Sequence, residues 1–246
     1  MAEKKDKNPK ASNDARINKG HYHPLTIVTR DIHKIFHELG FEIAYGPHIL
    51  SEEANFDVLN VPKDHPARDM HDTFWLKDKV KTVLRTHISS MQVPYMKENE
   101  PPLMMVSSGP VYRYEATDAT HEATFQYIEG LVVGKNITVS NLKGTLGKFL
   151  EQFFGEKIEM RFRPSYFPFV EPGFEVDMKN PKNGKWLEIL GSGMVHPKVL
   201  TNAGIDPNEY QGFAFGVGID RLAILKYEIG DIRLFRSGDI RLTNQF

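Results

Sequence analysis

Residues 111–130 have the sequence VYRYEATDATHEATFQYIEG, which predicts a β-hairpin with a short polar loop. Arg113 and Glu115 are two positions apart, so on a strand both side chains point to one face. His121 lies in the loop. On the returning strand, Phe125, Tyr127 and Glu129 are also two positions apart, so their side chains point to one face. A cation, carboxylates, an imidazole and aromatic rings on one hairpin favour a site that grips a nucleoside triphosphate.

The composition is typical of a globular protein with a substantial core, since 40% of the 246 residues are hydrophobic and 11% aromatic. A formal net charge of -1 excludes an overall basic field, so any nucleic-acid contact needs a local patch. The absence of cysteine excludes disulfides and thiolate metal sites. Without a long apolar run or a signal core, we expect a cytoplasmic protein with no membrane partner.

The chain divides into a tail and one domain. Residues 1–20 are rich in lysine and poor in apolar side chains, which predicts a flexible, polar, basic tail. Such a tail could touch RNA, although a solvated terminus is the more ordinary interpretation. Residues 21–246 show no internal repeat and are expected to form a single domain.

Hydrophobic periodicity and turn residues predict a mixture of strands and helices. Helices are expected at 24–39, 89–99 (capped by Ser89 or Ser90), 141–154, 195–203 and 219–227. Strands are expected at 41–45, 83–87, 103–133 (the hairpin), 174–178 and 186–190. Residues 158–171 are expected to be extended, and two prolines confine them to an edge or an irregular strand. Asn183-Gly184 signals a hairpin turn between two of these strands. Hairpin-linked strands with helices set apart predict an α+β fold with a mostly antiparallel sheet flanked by helices.

A second glycine-rich element, Gly216-Val-Gly218-Ile-Asp220-Arg221, immediately precedes a predicted helix. Glycine lets the backbone approach a ligand, and a helix N-terminus favours negative charge. The same pattern also has a packing explanation. Arg113 with Glu115 could likewise be an ordinary exposed ion pair, so the residues alone leave both interpretations open.

Taken together and in this order, the two elements resemble motifs two and three of the class II aminoacyl-tRNA synthetases. Residues 40–47, after the first helix, are similar to that class's motif one, the dimer-forming helix and strand. Five longer stretches closely resemble the bacterial phenylalanyl-tRNA synthetase α subunit family: THIS (86–89), VYRYEATDATHEATF (111–125), RFRPSYFPFVEPG (161–173), WLEILGSGMVHP (186–197) and GFAFGVGIDRLAIL (212–225). The resemblance covers about residues 20–246 and implies the class II catalytic fold.

This resemblance implies activation of L-phenylalanine with ATP to phenylalanyl-adenylate, followed by transfer to tRNA(Phe). It also implies a β subunit as partner, in an α2β2 assembly. The family's N-terminal coiled-coil arm has no counterpart in residues 1–20, so we expect weak tRNA affinity unless a partner compensates. Two alternatives stay open: a stand-alone paralogue that serves a non-tRNA acceptor, and a catalytically silent binding or regulatory relative.

The resemblance also implies an ATP site. Its residues are Arg113, Glu115, His121, Phe125, Gly216, Gly218 and Arg221. Arg113 would bind the α-phosphate and the attacking carboxylate, and Glu115 the adenine amino group. His121 would reach the β- and γ-phosphates, while Phe125 and Arg221 would sandwich adenine. The catalytic residues would be Arg113, His121 and Arg221, because fixed cations stabilise the negative charge that gathers at the α-phosphate.

Mg²⁺ is the implied cofactor, bound with ATP, and Glu171 and Glu188 are the expected metal ligands. A turn residue before Pro172 is the alternative interpretation of Glu171. The implied phenylalanine site comprises His87, Ser89, Tyr127, Glu129, Phe167, Phe169 and Ala214. Two aromatic rings of equal parity suit an aromatic substrate, although ordinary core packing would explain them too.

The chain departs from the family at two positions. The family usually has His-Gln before the Leu/Ile-Glu-Gly of the second hairpin strand, whereas this chain has Gln126-Tyr127, and parity places Tyr127 on the substrate face. Asp220 stands where glutamate is more usual, a shorter acid that could shift the surroundings of Arg221. Residues 65–71, with His65, Arg68 and His71, form a candidate tRNA-contacting loop, although a structural loop is the more ordinary interpretation.

Overall fold

The fold is built on a seven-stranded sheet. The computed structural model describes residues 20–69, 72–77 and 80–246. The strands of this sheet and those of a small second sheet are β1 (Glu42–Ala44), β2 (Ile49–Ser51), β3 (Thr82–Leu84), β4 (Leu103–Tyr112), β5 (Thr124–Gly134), β6 (Met160–Phe167), β7 (Val170–Lys179), β8 (Trp186–Val195) and β9 (Gln211–Gly218). The helices are α1 (Pro24–Glu38), α2 (Glu52–Asn55), α3 (Gln92–Glu98), α4 (Val139–Phe154), α5 (Pro197–Asn202), α6 (Ile219–Tyr227) and α7 (Ile240–Thr243). The predicted tail, apart from Gly20, lies outside the described residues, and its boundary stays a prediction.

The strand order is β1-β4-β5-β9-β8-β7-β6, and every neighbouring pair is antiparallel except β1–β4. The strands β2 and β3 form a separate antiparallel pair. The predicted α+β class with a mostly antiparallel sheet is therefore confirmed. β6, which contains Pro164, lies at the edge, as predicted for residues 158–171, because proline cannot donate a ladder hydrogen bond. The prediction of one strand over 158–171 is wrong, because the chain turns at residues 168–169 and residues 170–171 belong to the interior strand β7.

Two hydrophobic clusters cover the sheet, and alternate residues of β9 belong to different clusters. Phe213 and Phe215 pack with α1, α4 and α6, whereas Ala214 packs with the segment after α2 and with α3 and α5. Phe36 of α1 stacks on Phe149 of α4 at 4.7 Å and on Phe215 at 5.3 Å between ring centroids. The helices α1, α4 and α6 thus cover one face of the sheet. The other face is covered only in part, by α3, α5 and the segment after α2, and has room for a site.

The hairpin turns earlier than its sequence predicts. β4 ends at Tyr112, so Arg113 and Glu115 do not lie on a strand, and the expectation that one strand face carries both is wrong. The Arg113 amide still donates to the Ala123 carbonyl at 2.9 Å. The Glu115 amide then donates to the Arg113 carbonyl at 2.9 Å, a tight local turn that redirects the chain.

The helix expected at 89–99 begins as a short 3₁₀ segment, Ser89–Met91, before α3. Neither Ser89 nor Ser90 caps it, because the Ser89 hydroxyl is bonded elsewhere and that of Ser90 has no partner within the described part of the chain. No helix in the described part of the chain is long and apolar enough to cross a membrane.

Candidate active site

Two cavities share a wall beside the end of β4. The smaller has a volume of about 170 Å³ and the larger about 630 Å³. Three residues line both of them: Arg113, Tyr127 and Gly191. The hairpin identified from sequence therefore contributes to two adjoining spaces.

The larger cavity gathers most of the predicted nucleotide-binding residues. Those that line it are Arg113, Glu115, His121, Phe125, Gly218 and Arg221. Gly216 does not; it lines the smaller cavity instead. A Cβ atom on Gly216 would lie 2.8 Å from Tyr127 Cε1 and 3.0 Å from Glu129 Cγ. A side chain at this position would therefore collide with two residues of the neighbouring strand, so the glycine makes room for Tyr127 and Glu129.

Arg113 is held at the shared wall from two sides. Its Nε donates to the Thr86 carbonyl at 3.2 Å, and its Cζ lies 5.1 Å from the centre of the Phe125 ring. A guanidinium over an aromatic face is held by a cation–π interaction as well as by the hydrogen bond. Neither contact uses the two terminal nitrogens, which remain as donors for an oxyanion.

His121 is oriented by its own loop. The Asp118 carboxylate accepts hydrogen bonds from the Thr120 amide at 2.6 Å and the His121 amide at 2.8 Å, and His121 Nδ1 lies 3.0 Å from Asp118 Oδ2. The Thr120 amide and the His121 side chain hold the pKa of Asp118 well below its usual range. With Nδ1 engaged, Nε2 is the ring nitrogen left to contact a ligand in the larger cavity.

Arg221 lies on the first turn of α6, directly after the Gly218 N-cap, and it is exposed to the larger cavity. Asp220 contacts other groups: its carboxylate accepts from the Gln126 amide at 2.7 Å and from Arg236 Nη1 at 2.7 Å. Burial raises the pKa of Asp220, whose residue is 2% exposed, and Arg236 opposes that rise. Asp220 thus connects β5, through Gln126, to the C-terminal segment, through Arg236.

All seven predicted phenylalanine-binding residues line the smaller cavity: His87, Ser89, Tyr127, Glu129, Phe167, Phe169 and Ala214. At its polar end, Glu129 accepts from the Ile88 amide at 2.8 Å and from the Ser89 hydroxyl at 2.5 Å. Burial raises the pKa of Glu129, which is 5% exposed, and these two hydrogen bonds oppose the rise. A buried carboxylate of this kind suits a ligand ammonium group.

His87 stands between two aromatic rings, with centroid distances of 6.4 Å to Phe56 and 6.0 Å to Phe169. Burial, together with the nearby Arg113 guanidinium, lowers the pKa of His87 to about 3, so the ring is neutral at pH 7. Its Nδ1 is buried without a hydrogen-bond partner among the described residues. A neutral imidazole with an unpaired nitrogen is available to a polar ligand group.

The apolar wall is formed by Phe167 and Phe169, whose rings stack at 6.1 Å with an interplanar angle of 27°. Gly191 faces this wall from β8, and a Cβ atom there would lie 3.2 Å from Phe167 Cζ. Tyr127 also lines this cavity, with its ring centroid 6.0 Å from that of Phe125 in an edge-on arrangement. Burial and the Glu129 charge raise the pKa of Tyr127 above its usual range, so its hydroxyl keeps its proton.

The structure does not bring the two predicted metal ligands together. Glu188 lines the larger cavity, 3.4 Å from Arg163 Nη2. Glu171 lines neither cavity; its side chain is 76% exposed and lies 3.4 Å from His196 Nε2. Glu188 pairs in register with Asp177, which is six positions from Glu171, or roughly 20 Å along a strand.

Across the described ranges, no three histidine, aspartate or glutamate side chains cluster as a metal site. Mg²⁺ bound through substrate phosphates needs only one or two protein carboxylates. Glu188, a partly exposed carboxylate in the cavity wall, fits that requirement.

Several lining residues are missing from the predicted set. Gln92 is 2% exposed and lines the smaller cavity, and Thr120, Glu122 and Ile232 line the larger one. None carries a local pattern that separates it from ordinary polar or core residues, so only the tertiary structure identifies them.

The candidate tRNA loop is held by a buried arginine. Arg68 Nη1 donates to Glu52 at 2.9 Å, and Nη2 donates to Asp57 at 2.6 Å. This side chain is therefore structural, which supports the ordinary interpretation of the loop. His71 lies outside the described residues.

Comparison with known proteins identifies the family. The model of the tRNA synthetases class II core domain (F) matches residues 8–246. The phenylalanine–tRNA ligase alpha subunit of Dehalococcoides mccartyi is 52% identical over 242 residues, which cover 92% of this chain and 70% of that protein. The corresponding subunit of Caldicellulosiruptor saccharolyticus is 50% identical over 241 residues, with 94% and 70% covered.

A solved pyrrolysyl-tRNA synthetase from Desulfitobacterium hafniense has the same fold, with a TM-score of 0.69 at 19% identity over 87% of this chain and 74% of that one. At this identity the likeness concerns the fold alone. The family model and the two relatives carry the assignment. The chain belongs to the class II aminoacyl-tRNA synthetases and, within them, to the phenylalanine–tRNA ligase alpha subunit family.

Proposed function

We propose that this chain activates L-phenylalanine with ATP to phenylalanyl-adenylate and transfers the acyl group to tRNA(Phe), acting with a β subunit. The position of Arg113 supports this proposal most directly, because it lines both cavities. A reaction that joins the contents of two cavities needs its charge-stabilising group at their common wall. The names of the relatives, alpha subunits of phenylalanine–tRNA ligases, support the substrate and the partner.

The smaller cavity would bind phenylalanine. Its buried Glu129 carboxylate would pair with the substrate ammonium, and Phe167 with Phe169 would contact the ring. Arg113 would hold the substrate carboxylate at the opposite end. The larger cavity would hold ATP, with His121 and Arg221 on the phosphates or the base, as the resemblance implies.

In the first step, an oxygen of the phenylalanine carboxylate attacks the α-phosphorus and forms a new P–O bond. The bond from the α-phosphorus to the bridging oxygen breaks, and pyrophosphate leaves with that electron pair. The attacking carboxylate is already ionised, so no general base is required, and catalysis depends on positioning and on charge stabilisation. Arg113 donates from its terminal nitrogens to the oxyanions that approach each other.

In the second step, a hydroxyl oxygen of the terminal tRNA ribose attacks the acyl carbonyl and forms an ester bond. The bond from the acyl carbon to the phosphate oxygen breaks, AMP leaves with that electron pair, and the hydroxyl proton is released to water. Mg²⁺, when bound with ATP, would neutralise phosphate charge. Glu188 is the carboxylate in the cavity wall that would help to hold it, and Glu171 stays a predicted ligand outside both cavities.

Phenylalanine-dependent exchange of pyrophosphate into ATP tests the first step, with the chain alone and with its β subunit. We expect exchange by the unsubstituted protein and a loss of about a hundredfold or more in Arg113→Ala. Arg241→Ala removes an exposed arginine that pairs with its own neighbour Asp239, and it should not change the rate. An unsubstituted protein that gives no exchange in either setting would contradict the proposal.

A further inference from the structure

The aromatic wall of the smaller cavity lies at a hairpin tip where the pairing of the strands is irregular. Phe167 ends β6, and Pro168 and Phe169 form the turn to β7. The β6–β7 register shifts between Ser165 and Phe167, and the β7–β8 register shifts between Val170 and Gly173. The ladder is therefore irregular on both sides of the turn, although Phe167 still pairs with Val170 and Val170 with Val195, and Pro168 has no amide hydrogen to donate.

Besides the ring contact of His87 with Phe169, two hydrogen bonds from outside the hairpin reach the carbonyls of the turn. The His196 amide donates to the Phe169 carbonyl at 2.9 Å. The Asn60 side-chain Nδ2 donates to the Pro168 carbonyl at 2.8 Å. The second is the one that a side-chain substitution can remove, because the first comes from the backbone.

The backbone around Asn60 suits this task. Asn60 follows the 3₁₀ segment Asp57–Leu59 and has φ 60°, ψ 21°, the left-handed conformation that asparagine tolerates better than most residues. The same segment is held by Arg68, which bonds Asp57 at 2.6 Å and the Val61 carbonyl at 2.5 Å. The side-chain amide of Asn60 therefore extends from a backbone segment whose position is fixed by the hydrogen bonds of Arg68.

We propose that Asn60 is a positioning residue: through Pro168 it fixes the Phe167–Phe169 wall and so sets the affinity for the aromatic substrate. The proposal rests on the proposed function, because the smaller cavity is taken as the phenylalanine site. Asn60 itself lines neither cavity, so it acts on a ligand there indirectly, through the hairpin tip. A displaced tip would move both rings away from Gly191 and His87.

Two variants isolate the hydrogen bond. Asn60→Asp keeps the shape and tolerates the left-handed backbone, but its carboxylate cannot donate to the Pro168 carbonyl. Asn60→Gly keeps the backbone freedom and deletes the amide. Asn202→Ala is the matched control, because Asn202 Nδ2 donates to the Val58 carbonyl at 2.9 Å and so ties the same loop to α5, away from the tip.

The exchange reaction is measured in the assembly that supports it, with phenylalanine and ATP varied separately. We expect KM for phenylalanine to rise about three- to tenfold in both Asn60 variants, with KM for ATP and kcat within about twofold, as for the loss of one hydrogen bond. Asn202→Ala should leave both KM values unchanged. Phenylalanine binding by calorimetry, below the melting temperature of each variant, should show the same rise in Kd.

An unchanged Kd for phenylalanine in Asn60→Asp, or equal increases in both KM values, would overturn the proposal and leave Asn60 with a general structural role. Failure of the proposed function is a separate result, since it appears as an absence of exchange by the unsubstituted protein. The calorimetric comparison of Asn60→Asp with the unsubstituted protein still decides whether the hairpin tip responds to Asn60.

Discussion

The Ser89 hydroxyl donates a 2.5 Å hydrogen bond to Glu129 Oε2, and so connects the segment after β3 to the centre of β5. This bond is the reason why Ser89 does not cap the helix that follows it. It also helps to keep a buried carboxylate charged at the polar end of the smaller cavity.

Ser89→Ala should therefore weaken phenylalanine binding through Glu129. The bond lowers the pKa of Glu129 against the rise caused by burial, so its loss raises that pKa further. The carboxylate must be charged to pair with an ammonium, and activity is lost as the pH falls through its pKa. We expect KM for phenylalanine to increase about tenfold or more, and the acidic limb of kcat/KM to move to higher pH.

Ser90→Ala is the control for this measurement, because the Ser90 hydroxyl is buried, has no hydrogen-bond partner among the residues that the structure describes, and lines neither cavity. Its pH profile should match that of the unsubstituted protein. An acidic limb that stays in place in Ser89→Ala would remove the assigned role of the Ser89–Glu129 bond.

Tyr127 lines both cavities. Tyr127→Phe keeps the ring, so we expect kcat/KM in pyrophosphate exchange to change by less than about threefold, because one neutral hydrogen-bonding group is lost. Tyr127→Ala opens the shared wall, and kcat/KM should fall about a hundredfold through misplaced substrates. Equal effects of both substitutions would assign the main role to the hydroxyl instead.

Ala214 is a small residue in the β9 wall of the smaller cavity, and it is buried. Ala214→Gly removes a methyl group and deepens the cavity, so we expect kcat/KM for para-chlorophenylalanine to rise relative to that for phenylalanine. Ala214→Val fills the same space and should reduce the kcat/KM for phenylalanine itself. An unchanged ratio in Ala214→Gly would show that Ala214 does not set the depth.

Arg236 compensates the buried charge of Asp220, so Arg236→Ala should destabilise the fold by about 3 kcal/mol, the lower end for a broken buried pair. The sign of its pH dependence follows from the pKa of Asp220, which burial already raises. Without Arg236 the folded pKa rises further above the unfolded value, so stability falls as the pH rises towards that folded pKa. Thermal melts should therefore show a larger deficit at pH 8 than at pH 5.

Arg233→Ala is the matched control, since Arg233 is exposed and pairs with Asp231 two positions away. It should lower the melting temperature by little at either pH. A deficit in Arg236→Ala that does not vary with pH would mean that Asp220 stays charged in the variant.

The family resemblance predicts the smaller cavity well, whereas strand parity does not explain it, because Phe169 lies in the turn after β6 and not on a strand. Phe167, Phe169 and Ala214 lie where these stretches place them. The turn after Tyr112 could not be predicted from strand parity, because it depends on the local hydrogen bond between Glu115 and Arg113.

Contacts between segments that are far apart in the chain leave no local pattern in the sequence, so they could not be predicted. Asp220 meets Gln126 and Arg236 only when α6, β5 and the C-terminal segment have packed. The requirement for glycine at position 216 also depends on a distant segment. Tyr127 and Glu129 on the adjacent strand occupy the space that a side chain would need, and the glycine pattern alone does not reveal this.

Because Arg113, Tyr127 and Gly191 border both cavities, one molecule can occupy the two spaces at once. Two separate substrates each lose their translational freedom on binding, whereas the joined acyl-adenylate loses it only once. The intermediate should accordingly be retained more tightly than either compound from which it forms. The boundary that the two cavities share thus lets the protein keep the reactive acyl-adenylate bound until the tRNA acceptor arrives.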